Sequence, residues 1–262
     1  MSPDAVIRSR SNALIQRARA AVAGNDRDTL ALEGDRLIDD AVRARHEIEV
    51  VLVAHDRPDR ALELERLEQR VQLVDADLLT RLSSLETSPG IIALAPTPKS
   101  IDLAQLTLDA RTLVLVVAGI ADPGNLGALA RAAEGLGATA LVILAGGASP
   151  WNPKALRGSM GSLLRLPIAH GVGADECSRT LGARSVRQVC AQTRGGADPL
   201  RFDWKGPLAL WIGPETGQMP AVSARFEAVT IPIRSDVESL NVTVAASILL
   251  FAAGRVARSA RG

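Results

Sequence analysis

No tyrosine occurs among the 262 residues, so no phenolic group can serve as acid, base or nucleophile. There are two cysteines, Cys177 and Cys190, too few for a disulfide framework and in keeping with a reducing, cytoplasmic setting. The three histidines, His46, His55 and His170, share no CxxC or HExxH spacing with each other or with those cysteines, and no metal site is expected. No apolar run approaches the roughly 20 residues that span a bilayer, and the opening MSPDAVIRSR is too polar for a secretory signal. Three common catalytic loops are missing as well: GxxxxGK[ST], GxGxxG after a strand, and GxSxG. What is present is 47% hydrophobic and 23% charged, with 22 Gly and 14 Pro in no regular period, which excludes disorder and collagen-like repeats. A chain of this length suits one large domain or two small ones, each with a core of its own.

Opposite charges nearly cancel, 30 basic against 29 acidic residues for a net of +1, which as a total argues against a nucleic-acid partner. Their distribution argues the other way. Residues 1–30 carry +2, residues 31–100 carry −5, residues 101–150 carry −2 and residues 151–262 carry +6. Of the basic residues 27 are Arg, the side chain suited to bidentate phosphate contacts, although genomic composition accounts for such a bias equally well. Phosphate affinity follows local basic groups rather than the whole-chain sum. A nucleic acid would therefore lie across the 1–30 arm and the 151–262 half, with the acidic 31–100 face turned away.

Apolar residues at Ala13, Leu14, Ala18, Ala21 and Val22 have helical spacing, in an arm crowded by Arg8, Arg10, Arg17 and Arg19. Strands at Leu30–Leu32, Ile48–His55, 71–76 and 90–96 then alternate with three helical stretches. Ala95–Ser100 concentrates Pro and Ser and reads as a linker. After it Thr112–Ile120 is apolar on both faces, as central parallel strands are. A helix over NLGALARAAEGLG, a strand over TALVILA and a short polar helix over NPKALRGSMG follow. Strands over VRQVCAQ, PLALWIGP and AVTIPI come next, and a long apolar helix from SLNV onward closes the chain. The expectation is two α/β domains, residues 1–97 and 109–262, joined by 98–108. Strand order read from composition alone points to an open doubly wound sheet, since knots are nearly absent from proteins.

Three loops at strand ends hold the candidate chemistry. The first is Asp122–Ala133, DPGNLGALARAA, with Asn125 near a helix start and Arg131 within that helix. The second, Ile212–Pro220, IGPETGQMP, flanks Glu215 with Gly213, Pro214 and Gly217. The third, Ile231–Ser247, brings Ser239 and Asn241 to the start of the final helix. Singly, each reads more readily as a capped turn or a surface loop.

Taken in order, N-x-G-x-x-x-R-x-A, G-P-E-x-G and I-P followed by S-L-N-V closely resemble the three motifs of the SpoU/TrmH family of the SPOUT class. Asn152–Ile168, NPKALRGSMGSLLRLPI, is similar to the segment between the first two motifs. The resemblance covers residues 112–258. It extends less firmly to SRSNALIQRARA and LALEGDRLIDDAV, which resemble a small ribosomal-protein-like domain that grips RNA. Departures are slight: Ile233 stands where members often have Met, and Ala130 precedes Arg131.

That resemblance implies a parallel sheet flanked by helices and tied in a trefoil knot, preceded by a small ribosomal-protein-like α/β domain. It implies S-adenosylmethionine as methyl donor, no metal, and a ribose 2′-hydroxyl of structured RNA as acceptor, ribosomal RNA before transfer RNA. It also implies a homodimer with the active site at the subunit interface, the final helix and the Ala128–Leu136 helix being the expected sources of that interface. Arg131 is then the motif-one arginine, acting as base or as charge stabiliser, with Asn125 orienting it or the ribose. Glu215 would anchor its loop or hold Asn125, and Ser239 and Asn241 would line the acceptor pocket. Thr193, Gly213, Ile231 and Leu240 fall at the cofactor positions, and Arg8, Arg10, Lys154, Arg157 and Ser159 are candidate RNA contacts. A non-catalytic RNA-binding or ribosome-assembly factor on the same scaffold is the alternative. A nicotinamide-dependent oxidoreductase lacks its glycine fingerprint here.

Overall fold

The computed structural model of the chain describes residues 6–213 and 219–259. The chain divides into two compact units: residues up to Pro98 together with Trp151–Leu164, and Lys99–Pro150 together with the residues from Arg165 onward. The chain path therefore crosses between units three times, where the sequence suggests a single boundary at 98–108.

In the first unit α1 (Ala13–Val22) starts where the Asn12 side chain accepts from the Leu14 N–H, and it buries Ile15, Ala18, Ala21 and Val22. Then follow β1 (Thr29–Glu33), α2 (Asp35–Arg43), β2 (Val50–Ala54), α3 (Pro58–Arg66), β3 (Val71–Val74), α4 (Ala76–Thr80) and β4 (Ile91–Pro96). The sheet order is β1-β4-β2-β3, with β4 antiparallel to both neighbours and β2 parallel to β3. β4 is a central strand, so Ile91–Ala95 are buried throughout; Pro96, with no N–H to give the ladder, is its last residue. The unit's core joins Ile15 of α1 to Leu52, Leu79, Ile92 and Leu94. The returning segment carries the helix Pro153–Ser159, which packs on β1.

The second unit holds β5 (Leu113–Val117), α5 (Pro123–Leu136), β6 (Ala140–Leu144), β7 (Ile168–Val172), α8 (Ala174–Ala183), β8 (Arg187–Ala191), β9 (Leu208–Ile212), β10 (Glu227–Val229) and α9 (Val242–Ser259). Between β6 and β7 lie α6 (Pro153–Ser159) and α7 (Ser162–Arg165). The six strands are parallel throughout in the order β10-β8-β9-β5-β6-β7. β5 and β9 are buried on both faces, as central parallel strands must be.

Besides the one-turn α7, two elements escape the periodicity. β7 is an edge strand whose His170 is half-buried and whose Gly171 has φ +73°, so it shows no continuous apolar run. α8 buries only Cys177, Ser178 and Leu181. The 99–108 stretch is docked rather than loose. Ile101 N donates to Ile168 O at 2.9 Å, Leu103 and Leu106 are buried, and Arg184 Nη1 donates to Leu103 O at 2.9 Å.

Beyond β8 the chain returns tightly against β10. Gly196 N donates to Thr230 Oγ1 at 2.8 Å, Ala197 N to Ala228 O at 2.8 Å and Thr230 N to Ala197 O at 3.0 Å. A Cβ at Gly196 would stand 2.6 Å from the Val229 carbonyl carbon, so only glycine permits this approach.

Candidate active site

Parallel strands present all their C-terminal ends at one edge of a sheet, and ligands collect there. In the second unit a cavity of about 350 Å³ opens at that edge, within the roughly 300–1,000 Å³ of small-molecule sites. Thr193 and Arg194 reach it from the end of β8, Gly213 from the end of β9, and Ile231 and Ile233 from the end of β10. Ser239 and Leu240 close it ahead of α9, whose Ala245 and Leu249 form a wall. The cavity therefore gathers five of the residues singled out from sequence: Thr193, Gly213, Ile231, Ser239 and Leu240.

Met219, Gln192 and Arg194 are lining residues that the motifs did not indicate. For Gln192 and Arg194 strand register was the available signal, since both lie just past β8, whereas Met219 meets Gly213 only in space. A Cβ at Gly213 would stand 2.3 Å from Met219 Sδ, so the missing side chain is what lets Met219 pack at the strand end. Arg194 is the one charged side chain among the described residues lining the cavity.

Asn241 belongs to α9 rather than to the cavity wall. Its Oδ1 accepts from Thr243 N at 3.0 Å and Val244 N at 3.3 Å, so Asn241 and not Ser239 caps the helix. The other motif helix, α5, is capped by Asp122, whose Oδ1 accepts from Asn125 N at 3.0 Å, and it ends at Gly137 with φ +96°. Asn125 is half-buried and Arg131 exposed, and neither lines the cavity. Six helical residues separate them by about 9 Å along the axis and about 120° around it. Among the described residues no hydrogen bond joins the two, and the expectation for Asn125 stays one of orienting Arg131 or the ribose. Glu215 lies outside the described residues.

Thiol chemistry has no foothold near the cavity. Burial pushes the Cys190 thiol above its ordinary range and that of Cys177 up to about 12, so neither supplies a thiolate. Asp236, in the loop before α9, is held below the usual carboxylate range by the hydrogen bond from Arg234, whose Nη2 lies 2.8 Å from its Oδ2. Among the described residues no group of His, Cys, Asp and Glu could hold a metal ion.

The candidate RNA contacts divide. Arg8, Arg10 and Lys154 are exposed. Ser159 is fully buried and its hydroxyl donates to Leu156 O at 2.8 Å, which removes it from any RNA surface. Arg157 is taken up inside the first unit: its Nη1 donates to Ser84 Oγ at 3.0 Å and stands 3.7 Å from buried Glu33. Its local polar sequence suggests a solvated helix, but those partners are distant in the chain.

Comparison with known proteins places this architecture. The model of the SpoU rRNA methylase family matches residues 112–251, and the chain belongs to that family. It is 30% identical over 210 residues to the 23S rRNA (uridine(2479)-2′-O)-methyltransferase of Streptomyces viridochromogenes, covering 77% of this chain and 73% of that one. Its identity to the 23S rRNA (guanosine(2553)-2′-O)-methyltransferase RlmP of Bacillus subtilis (strain 168) is 27% over 228 residues, 86% and 88% of the two chains. Among solved structures, the SpoU methyltransferase AviRb from Streptomyces viridochromogenes in complex with AdoMet matches with a TM-score of 0.84 at 28% identity, covering 95% of this chain and 99% of that one. The AdoMet-bound rRNA methyltransferase from Sinorhizobium meliloti shares the fold at a TM-score of 0.85 and 23% identity, covering 95% and 97%.

Proposed function

We infer that this protein is an S-adenosylmethionine-dependent methyltransferase acting on a ribose 2′-hydroxyl of ribosomal RNA. The observation that carries the reading is the cavity, in which residues from the second and third family motifs meet at the ends of β8, β9 and β10. The residues suit the donor. Ile212, Ile231, Leu240 and Leu249 provide an apolar slot for a flat heterocycle, and Thr193 and Gln192 provide polar atoms for a sugar edge. When bound, S-adenosylmethionine supplies an electrophilic methyl group on a sulfonium.

The chain's own task is to bring a weakly nucleophilic hydroxyl to that methyl group and to stabilise negative charge as its proton leaves. Arg131 is assigned this role. A charged guanidinium offers five donors and no acceptor, which suits it to holding an RNA phosphate or a growing alkoxide rather than taking a proton. Because Arg131 is exposed and outside the cavity of its own chain, a second copy is assigned to complete the site. α9 carries exposed Val244, Ile248 and Phe251 at i, i+4 and i+7, a stripe suited to a homodimer contact.

The close passage of the Gly196 loop against β10 is in keeping with the trefoil-knotted crossing that the resemblance implies. The first unit, with exposed Arg8 and Arg10, is assigned to RNA binding. The protein is assigned to the cytoplasm, where ribosomal RNA is available.

Nucleotide-resolution ribose-methylation mapping of RNA from a deletion strain tests the reading. The expected result is loss of a 2′-O-methyl mark in ribosomal RNA, restored by the wild-type gene and not by Arg131→Ala. An unchanged map across ribosomal and transfer RNA overturns it, and loss confined to transfer RNA replaces the substrate. In vitro, Arg131→Lys and Arg131→Ala are expected to lower the rate without moving the ascending limb of the pH–rate profile. A moved limb would make Arg131 the base.

A further inference from the structure

Among the described residues lining the cavity, Arg194 is the single charged side chain, and no hydrogen bond or ion pair joins it to another described residue. It stands three residues past the end of β8, next to Thr193 and on the same cavity as Gly213, Ile231 and Leu240. We propose that Arg194 binds the α-carboxylate of the amino-acid tail of S-adenosylmethionine, fixing the direction in which the donor lies in the cavity; this rests on the methyltransferase reading above.

The charges of the ligand decide the orientation. Its sulfonium and ammonium are positive and its carboxylate negative. Arg194 is an exposed residue lining a pocket with no described carboxylate, and a guanidinium there repels the first two and attracts the third. The adenosine half is neutral and finds its complement among Ile212, Ile231, Leu240 and Leu249, so the tail is left for the end marked by Arg194. An arginine fork matches a carboxylate with two parallel N–H donors, a geometry that a lysine cannot reproduce. An RNA phosphate would also pair with a guanidinium, but Arg194 shares its cavity with the donor-binding residues, which favours the donor's tail. The described lining offers one positive and no negative group, so the neutral product S-adenosylhomocysteine should be held at least as tightly as the positively charged donor.

Calorimetry on the full-length protein separates the possibilities. The ligands are S-adenosylmethionine, S-adenosylhomocysteine and 5′-methylthioadenosine, the last retaining the nucleoside and thioether but lacking the amino-acid tail. Arg194→Gln is expected to weaken the first two about tenfold, about 1.4 kcal/mol, and to leave methylthioadenosine unchanged. Arg194→Lys should fall between wild type and Arg194→Gln. Equal weakening of all three ligands by Arg194→Gln would overturn the proposal, because the arginine would then act on the loop as a whole. So would unchanged donor affinity accompanied by weaker binding of a short labelled RNA, which would make Arg194 an RNA contact. If wild-type protein binds none of the three, the methyltransferase reading fails first. If wild type binds the donor and Arg194→Gln binds it equally well, this inference alone fails.

Discussion

Glu33, the last residue of β1, has a carboxylate that is 2% exposed, an expensive placement unless its oxygens are filled. They are filled from one loop: Ser83 Oγ donates at 2.8 Å, Ser84 N at 3.1 Å and Ser84 Oγ at 2.5 Å, with the Arg157 guanidinium 3.7 Å away. Glu33→Ala removes the acceptor of three hydrogen bonds and should cost about 1–3 kcal/mol in urea denaturation. Arg157→Ala should lower stability while leaving RNA affinity near wild type, the reverse of what exposed Arg8→Ala should do. This is where sequence reading of the site was weakest. The Ser84 that engages Glu33 is 51 residues away, and it is 73 residues from the Arg157 it also binds, so no local pattern tells a counter-ion from an RNA contact. Thr193, Gly213, Ile231 and Leu240 were legible because each lies within a motif or at a strand end, where chain position alone fixes its place.

At the scale of elements, two glycines with superficially similar crowding predict different outcomes. At Gly196 an added methyl meets backbone on a neighbouring segment, 2.6 Å from Val229 C and 2.8 Å from Thr230 N, and neither can step aside without breaking the ladder to β8. Gly196→Ala should cost about 3 kcal/mol or more, read as a lowered thermal midpoint or as loss of soluble protein. At Gly213 the methyl meets only the far end of Met219, a side chain with rotamers to spare. Gly213→Ala should therefore leave the melting temperature within a few degrees of wild type and weaken donor binding several-fold, as Met219 is pushed into the cavity. The strands β1 to β6, β8 and β9 were legible as short, mainly apolar runs between turn residues, whereas β10, expected over 228–233, is only Glu227–Val229. β7 and α8 were not, since an edge strand and a helix with three buried positions carry little periodic signal. The central, antiparallel place of β4 was hidden for another reason: alternation names elements but does not order them.

For the whole molecule, the exposed stripe of Val244, Ile248 and Phe251 carries the prediction of assembly. Ile248→Glu places a charge in the middle of that face and should convert a dimer to a monomer by light scattering, with far-UV circular dichroism unchanged and methyl transfer lost. A variant that remained dimeric and active would place the contact elsewhere. The net charge of +1, taken as one number, pointed away from nucleic acid, whereas a family of rRNA methylases is where the chain belongs.

The return of Trp151–Leu164 to the first unit bears on how this protein is made and inherited. Chains emerge from the ribosome N-terminus first, and domains generally fold as they are completed. Here the first unit lacks α6 and the Arg157 partner of Glu33 until residue 164 has been synthesised, by which time β5, α5 and β6 have already appeared. The two units must then mature in overlapping order rather than in succession. A gene fragment ending at Pro98 encodes an incomplete body, and a single recombination point cannot exchange one unit between relatives without stranding fourteen residues of the other. The two units are thus inherited together, as one indivisible stretch of coding sequence.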